Sequence, residues 1–462
     1  MNLRKKSFRR PALKLSIVAV ALLLACPSFA LGQTPEPHRE QLLNGLRLLI
    51  VTRPGDAKVW MKLRIHTGAA FDLANREGTT ALLADALFPD PSTPQYVREE
   101  LGGQLDVRTT YDLIDITLSG NANEFDRLVE LLRNAFLQMR LAPEDVQRLK
   151  AARLKTATDA NALPAQIAER AARARLFGAH PYARTVEGTP ESLARVERTD
   201  LMFARDRFLS PNNATLVVVG GVDEARAMRT FRQLLGAWHK SDSIPPATFR
   251  QPDAPDPRAL IIAASGAREA EVRIAARGVS RSDKDRAAAT LLAFVAKERW
   301  LAALKPFKAS NASVVNESHA LSGVFELGAT VEPSSASPVI ESARALLRSL
   351  AASPPSALEL ERAKHYLLAG DMRPTNPYSF ADDWLDSITY NYDAASDARA
   401  LDAVTPADIQ RVAARLFGDA KLAIVVAGDE SQLRASLANL PGGIEIAGAQ
   451  SATQPAAPKP KP

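Results

Sequence analysis

Apolar positions recur at helical spacing along residues 79–88, TTALLADALF, with Leu82, Leu83, Leu87 and Phe88 on one side. After Thr80, the only polar side chain in this run is Asp85. Gly78 precedes it, and the pattern predicts a helix over 78–88. Upstream, GLRLLIVTRPGDAKVWMKLRIHTGA reads as strand, turn, strand. The alternation in VWMKLRIHT predicts a sheet with one face buried and one face in water.

A second copy of this pattern lies further along. RALIIAASGAREAEVRIAARGVS also reads as strand, turn, strand, and it leads into the helical run RAAATLLAFVAKERWLAAL. The later parts agree more closely. Residues 193–221, LARVERTDLMFARDRFLSPNNATLVVVGG, align without gaps to residues 401–429, LDAVTPADIQRVAARLFGDAKLAIVVAGD, at a constant offset of 208. Leu193 meets Leu401, Asp200 meets Asp408, Arg207 meets Arg415 and Gly220 meets Gly428. Each copy predicts a capped amphipathic helix, a short turn and a buried strand ending in Gly, followed by another helix. Strands and long helices interleave throughout, so the expected fold is α/β of the α+β type. It consists of two duplicated domains, each a mostly antiparallel sheet packed with helices.

The Pro-rich stretch 241–258 separates the copies and cannot be a core element. The domains expected are therefore residues 31–240 and 259–445. Residues 446–462, rich in Pro and Ala, are expected as a disordered tail. With 46% hydrophobic residues, the 462-residue chain can fill two such cores.

Charge changes the picture at the N-terminus. Residues 1–30 carry six bases and no acid, an apolar run LSIVAVALLLA and a PSFA end, the layout of a secretory signal cleaved after Ala30. The apolar run is too short to span a membrane. The formal charge of +6 resides in this segment, so the remaining chain is near neutral and offers no basic surface for nucleic acid. The expected location is outside the cytoplasm, in a bacterial periplasm. The only cysteine, Cys26, lies inside the signal; simple secretion is favoured over lipid anchoring there, and the exported chain has no thiol chemistry.

Several stretches together resemble the insulinase/pitrilysin metallopeptidases: residues 42–88, EELGGQLDVRTTYDLIDITLSG (99–120), LFGAHPYARTVEGTPESL (176–193) and FLSPNNATLVVVGGVD (208–223). The resemblance covers about residues 40 to 440. Members carry an inverted zinc motif, H-x-x-E-H, on the helix matched by 78–88. Two His at i and i+4 share one helical face and one Zn²⁺, and the Glu activates the bound water. Matched by Gly78 and Leu87-Phe88, the first His position is Ala81, the Glu position is Ala84 and the second His position is Asp85. The distal ligand segment, 148–166, contains no Glu; its only acid is Asp159, and Lys155 stands near the ligand position. No two of the six His lie within ten residues of each other, so no single helix carries an i, i+4 pair. Lys305 and Ala312 stand where members carry a substrate-holding Arg and Tyr. No other catalytic motif is present.

The resemblance therefore implies a catalytically inactive homologue with no cofactor, although the family uses zinc. It implies a non-catalytic subunit that pairs with an active H-x-x-E-H homologue, or with itself, around a peptide chamber. The alternative is a stand-alone or homodimeric exported module that binds peptides without cutting them. His180, in AHPYAR, is expected as a structural turn residue.

Overall fold

A computed structural model describes residues 36–244, 246, 248–264, 266–368, 380–393, 397–418 and 421–447. The expected signal segment and most of the expected tail lie outside these. The first half runs β1 (His38–Gln41), β2 (Arg47–Thr52), β3 (Lys58–Ile65), α1 (Thr79–Asp85), α2 (Thr93–Glu99), β4 (Gln104–Thr109), β5 (Ile114–Asn121), α3 (Phe125–Leu137), α4 (Pro143–Asn161), α5 (Pro164–Phe177), α6 (Pro190–Arg195), α7 (Arg198–Phe208), β6 (Ala214–Gly220) and α8 (Glu224–Leu235). The second half runs β7 (Ala259–Ala263), β8 (Ala270–Gly278), α9 (Arg286–Leu304), β9 (Ser310–Glu317), β10 (Gly323–Val331), α10 (Ala336–Ala352), α11 (Ala357–Leu368), α12 (Phe380–Tyr390), α13 (Asp397–Ala403), α14 (Pro406–Leu416), β11 (Ala423–Gly428), α15 (Glu430–Leu437) and β12 (Ile444–Ala447). The described residues between α8 and β7 form neither helix nor strand.

The sheets are ordered β1-β2-β6-β3-β5-β4 and β12-β7-β11-β8-β10-β9. Apart from the outermost strand on one side, the order is the same in both, as duplication requires. The aligned repeat shows it in detail. Asp200 accepts a hydrogen bond from the Glu197 N–H (2.8 Å) at the start of α7, and Asp408 accepts one from the Thr405 N–H (3.0 Å) at the start of α14. Both sheets are mixed. The middle strands pair antiparallel, while β2 pairs parallel with β6 and β7 with β11. Strand β12 runs to Ala447, past the expected start of the tail at 446.

Each sheet buries one face under helices of its own half. Met61, Leu63 and Ile65 pack with Leu82, Phe125, Leu201 and Phe208 in the first half, and Val272, Ile274, Phe325 and Leu327 pack with Leu292, Trp300 and Val412 in the second. The expectation that the second face meets water is corrected by the structure. Helix α5, from the first half, lies on the second sheet, where Ile167, Ala168, Ala171 and Ala172 contact Leu260, Ile262, Ala275 and Val425. Its small side chains let helix and sheet approach closely. Helix α12, from the second half, lies on the first sheet, where Ala381 and Leu385 pack on Leu49, Trp60, Val217 and Val219.

The polar members of β3 are satisfied by the same exchange. Lys62 Nζ lies 2.5 Å from Asp382, and Arg64 donates to Asp386 (2.6 Å) and to Asp115 through two nitrogens (2.7 and 2.9 Å). His66 lies 3.0 Å from the Thr389 hydroxyl and 2.9 Å from the Thr215 hydroxyl. Burial, with Arg47 and Arg64 adding to it, pushes its pKa down to about 3, so the ring is neutral. The hairpin loops joining β4 to β5 and β9 to β10 also meet. Tyr111 packs edge-on to His319 at 5.1 Å, and the Asp112 carboxylate accepts from the Tyr182 hydroxyl (2.7 Å) and the Ala320 N–H (2.9 Å). The described residues from Pro37 onward are accordingly one compact unit.

Leu385 is fully buried in the exchanged contact. Leu385→Ala is expected to lower unfolding free energy by about 2–4 kcal/mol in a urea titration. Loss should occur in one transition reporting on both halves, because each sheet depends on the other half's helix; two separated transitions would contradict this dependence. A pH effect follows from β10. Burial pushes the Glu326 carboxyl up to about 7, and Arg273, 3.6 Å away, only partly opposes it. An unfolded Glu titrates near ~4.3. Between these values the folded chain keeps a proton that the unfolded chain loses, so Glu326 lowers stability as pH rises through about 7. Thermal melts on either side of that range should show a smaller loss of Tm for Glu326→Gln than for the unaltered chain.

Candidate functional site

Helix α1 is held at its start by chemistry that the sequence only partly displays. Gly78 has φ 91°, a left-handed conformation, and a Cβ there would lie 2.9 Å from the Glu187 carbonyl oxygen and from Gly188 Cα. The Asp72 carboxylate accepts from the Gly78 N–H (2.8 Å), the Thr80 N–H (3.0 Å) and the Thr80 hydroxyl (2.6 Å). By accepting these bonds, the carboxylate caps the helix from outside it. Burial nevertheless pushes the Asp72 carboxyl up to about 7, opposed by those three bonds. This anchoring fixes the three positions that the resemblance singles out.

Ala81 and Ala84 are buried, at 0% and 1% exposure. They offer methyl groups where the motif would offer an imidazole and a carboxylate. Asp85 is partly exposed and does not face water alone. Its carboxylate receives two nitrogens of Arg153, Nε at 2.5 Å and Nη2 at 3.0 Å. Arg153 comes from α4, the helix carrying the expected distal-ligand segment, and its remaining Nη1 contacts Glu187. Such a fork uses both carboxylate oxygens. The two acids hold the guanidinium above its usual pKa against the opposing effect of burial.

A fixed positive charge therefore stands beside the only acid of the degenerate motif. Lys155 and Asp159 do not join it; both are exposed and pair with each other at 2.8 Å. Lys305 is exposed at the end of α9, and Ala312 is half-buried on β9. Among the described residues no group of three or more His, Cys, Asp or Glu could hold a metal ion. The donor set does not fit zinc. Two of the three α1 positions have no donor atom, and the third is saturated by a cation. The pairing partner Arg153 was not foreseen. Its only sequence signal is a base two residues before Lys155 in RLKAARLK. His180 is buried in the turn after α5, where its Nδ1 accepts from the Tyr182 N–H (3.1 Å) and its ring packs on Phe177 and Tyr182. Burial pushes it down to about 4, with Arg184 and Arg277 adding to the effect.

Asp85 and Arg153 form part of the wall of a cavity of about 1030 Å³. The opposite wall comes from the second half, with Arg281, Asn316, His319 and Tyr390. The free edge strand β4 contributes residues 107–109.

Comparison with known proteins gives a consistent result. The family described as Insulinase (Peptidase family M16) matches residues 47–190, and that described as Peptidase M16 inactive domain matches residues 195–367. Together these stretches make up more than half of the chain. The chain is 24% identical over 204 residues to an uncharacterized zinc protease of Mycobacterium leprae, covering 43% of this chain and 46% of that protein. It is 22% identical over 228 residues to subunit 1 of the mitochondrial cytochrome b-c1 complex of Mus musculus, covering 47% of each. The matches thus span about half the length of these relatives. In fold it is similar to a protease from Helicobacter pylori, with TM-score 0.77 and 18% identity over 85% of this chain and all of the other.

Asp85→Ala leaves Arg153 with the exposed Glu187 alone, and is expected to lower stability by about 1 kcal/mol in a urea titration. Neither the unaltered chain nor this variant should retain stoichiometric zinc after equilibration and desalting. One zinc per chain by elemental analysis would overturn the account of the site.

Proposed function

The chain belongs to the insulinase (M16) peptidase family, and on that premise we propose that it is a catalytically silent member acting as the non-catalytic subunit of a peptidase pair. One observation carries the reading. The family scaffold is present, with α1 anchored by the Gly78 turn and the Asp72 cap, while the motif positions are Ala81, Ala84 and an Asp85 locked by Arg153. A chain with no catalytic partner has no use for its own peptidase scaffold unless it binds peptides. A chain that completes a partner's chamber needs the scaffold and not the metal. That one relative is, by its name, a subunit of a larger complex supports assembly as a use of this fold. The catalytic partner would carry an intact H-x-x-E-H helix. The location proposed is the periplasm, on the strength of the basic-then-apolar residues 1–30.

A second reading is favoured by the free edge of β4 beside the cavity. An exposed edge strand can take up an extended peptide by backbone pairing, so a stand-alone or homodimeric peptide-binding module is the alternative.

Affinity purification of the tagged full-length chain from its own cell envelope decides between them. The expected result is an H-x-x-E-H homologue co-eluting in equal amount and carrying all the peptide hydrolysis. Elution of the chain alone, without hydrolysis, would remove the subunit reading and leave the binding module.

A further inference from the structure

Helix α5 meets the second sheet along two kinds of surface. Ala275 of β8 and Val324 of β10 belong to the apolar cluster with Ala168, Ala171 and Ala172 of α5. Side chains alternate between the faces of a strand, so Glu271 and Arg273 share the face of Ala275, and Glu326 and Thr330 share that of Val324. The register agrees, with Glu326 opposite Ala275 and Thr330 opposite Glu271. The apolar contact therefore continues into a row of charges on the face that α5 covers.

Glu326 is the acid in that row with the weakest support. It is 7% exposed, and Arg273 Nε stands 3.6 Å from it, beyond hydrogen-bond distance. Arg273 is committed elsewhere: its Nη1 donates to Glu271 (3.1 Å) and to the Val272 carbonyl oxygen (2.9 Å), while Glu271 also accepts from the Thr330 hydroxyl (2.9 Å). Further along β8, Arg277 donates to the Leu176 and Pro252 carbonyl oxygens. From α5, Glu169 and Arg173 act on Glu326, but Arg173 donates to Glu317 of β9 (2.7 Å), and Arg170 is attracted to Glu169 and Glu191. The His319 ring, 3.5 Å from Glu317, and Arg173 hold that carboxyl down to about 2 against the effect of burial, so it stays ionised. The two arginines that act on Glu326 are thus each bonded to another carboxylate, and Glu169 and Glu317 add negative charge around it. Burial pushes Glu326 up to about 7, with Arg273 opposing and Glu169 adding to the effect. A neutral Glu326 suits this place. An ionised one is a buried charge without adequate pairing.

We propose that the contact of α5 with the second sheet is a proton-controlled joint: a proton on Glu326 holds the helix down, and its loss lets the helix lift locally while the rest of the chain stays folded. A lifted helix leaves Glu326 in water, where a Glu titrates near ~4.3. Between that value and about 7, the docked form keeps a proton that the lifted form loses. Docking therefore weakens as pH rises through this range and changes little above it. Glu169, Arg170 and Arg173 also stand in the cavity wall, so the joint carries the state of Glu326 to the cavity. It is internal to the chain and depends on neither reading of the function.

Hydrogen exchange of the purified full-length chain tests it, read by mass spectrometry at about pH 5 and about pH 8 and corrected for the intrinsic pH dependence of amide exchange. Peptides from α5 (Pro164–Phe177) are compared with peptides from α3 (Phe125–Leu137), which packs in the core of the first half. Protection of α5 should fall by at least about tenfold from the lower to the higher pH, with a smaller change in α3. Glu326→Gln keeps the shape and cannot ionise, and should remove the difference between the two helices. Glu169→Gln, at an exposed position of α5, removes one of the acids acting on Glu326 and should reduce the fall; it serves where Glu326→Gln fails to fold. Protection of α5 that does not change with pH, a fall of unaltered size in either variant, or an equal fall in α3 would overturn the proposal. The last result would assign the effect to unfolding of the whole chain.

Discussion

Neither sheet can cover both of its faces with helices from its own half, and the fold depends on how that is resolved. One layer of helices buries one face of a sheet. The other face of the first sheet carries Leu49, Val51, Trp60, Val217 and Val219, an apolar surface that cannot be left in water at small cost. The other face of the second sheet carries Leu260, Ile262, Val425 and Ala427. Each is closed by a helix from the opposite half, α12 on the first and α5 on the second. The exchange turns two repeats into one compact unit. It also places charge where hydrophobic packing alone would not. Arg64, almost wholly buried, is tolerable only because Asp115 approaches from within its own sheet and Asp386 from the exchanged helix.

The cavity is a product of the same arrangement. Because the helices cross between halves, the ends of β4 and β9 and the loops beyond them are drawn together. Asp112 joins them by accepting from Tyr182 on one side and from the Ala320 N–H on the other. The polar wall with Arg153, Arg173 and Glu317 surrounds the space so formed. At its rim, Asp85, which the resemblance matches to the second His position of the motif, is paired with Arg153 and so leaves no charge stranded. A carboxylate on a half-sheltered helix face needs a cation nearby. Where zinc would supply two positive charges and a Lewis acid, the guanidinium supplies one charge and five hydrogen-bond donors and cannot activate water.

What was legible in the sequence was governed by local pattern. The duplication followed from a gapless 208-residue offset, and the same strand order recurs in both sheets. The family followed from several motifs in order. Helix α1 was readable from Gly78 and its leucines, although it stops at Asp85 rather than at Phe88. The alternation of β3 was readable too, but its meaning was not. Lys62 and Arg64 look like a solvated face, and the acids that pair with them, Asp382 and Asp386, lie about 320 residues away on a helix with no sequence mark of its destination. Arg153 was hidden for the same reason. An arginine among several bases on an otherwise polar helix acquires its role only when α4 is laid beside α1.

The wall of the cavity is polar, unlike the apolar faces that close the two sheets. Unsatisfied buried donors and acceptors cost about 1–3 kcal/mol each when nothing occupies the space beside them. A protein that needed this seam only for packing could fill it with apolar side chains at no loss, and often at a gain. α5 does this a short distance away, where Ala168, Ala171 and Ala172 meet the second sheet closely. One turn structure thus carries two surfaces. Its alanine side is closed against the sheet, and its arginine side, Arg170 and Arg173, belongs to the polar wall of the cavity, with Arg170 Nε and Arg173 Nη1 themselves buried. The contrast within a single helix places apolar packing and polarity on different residues, so the two can be altered separately.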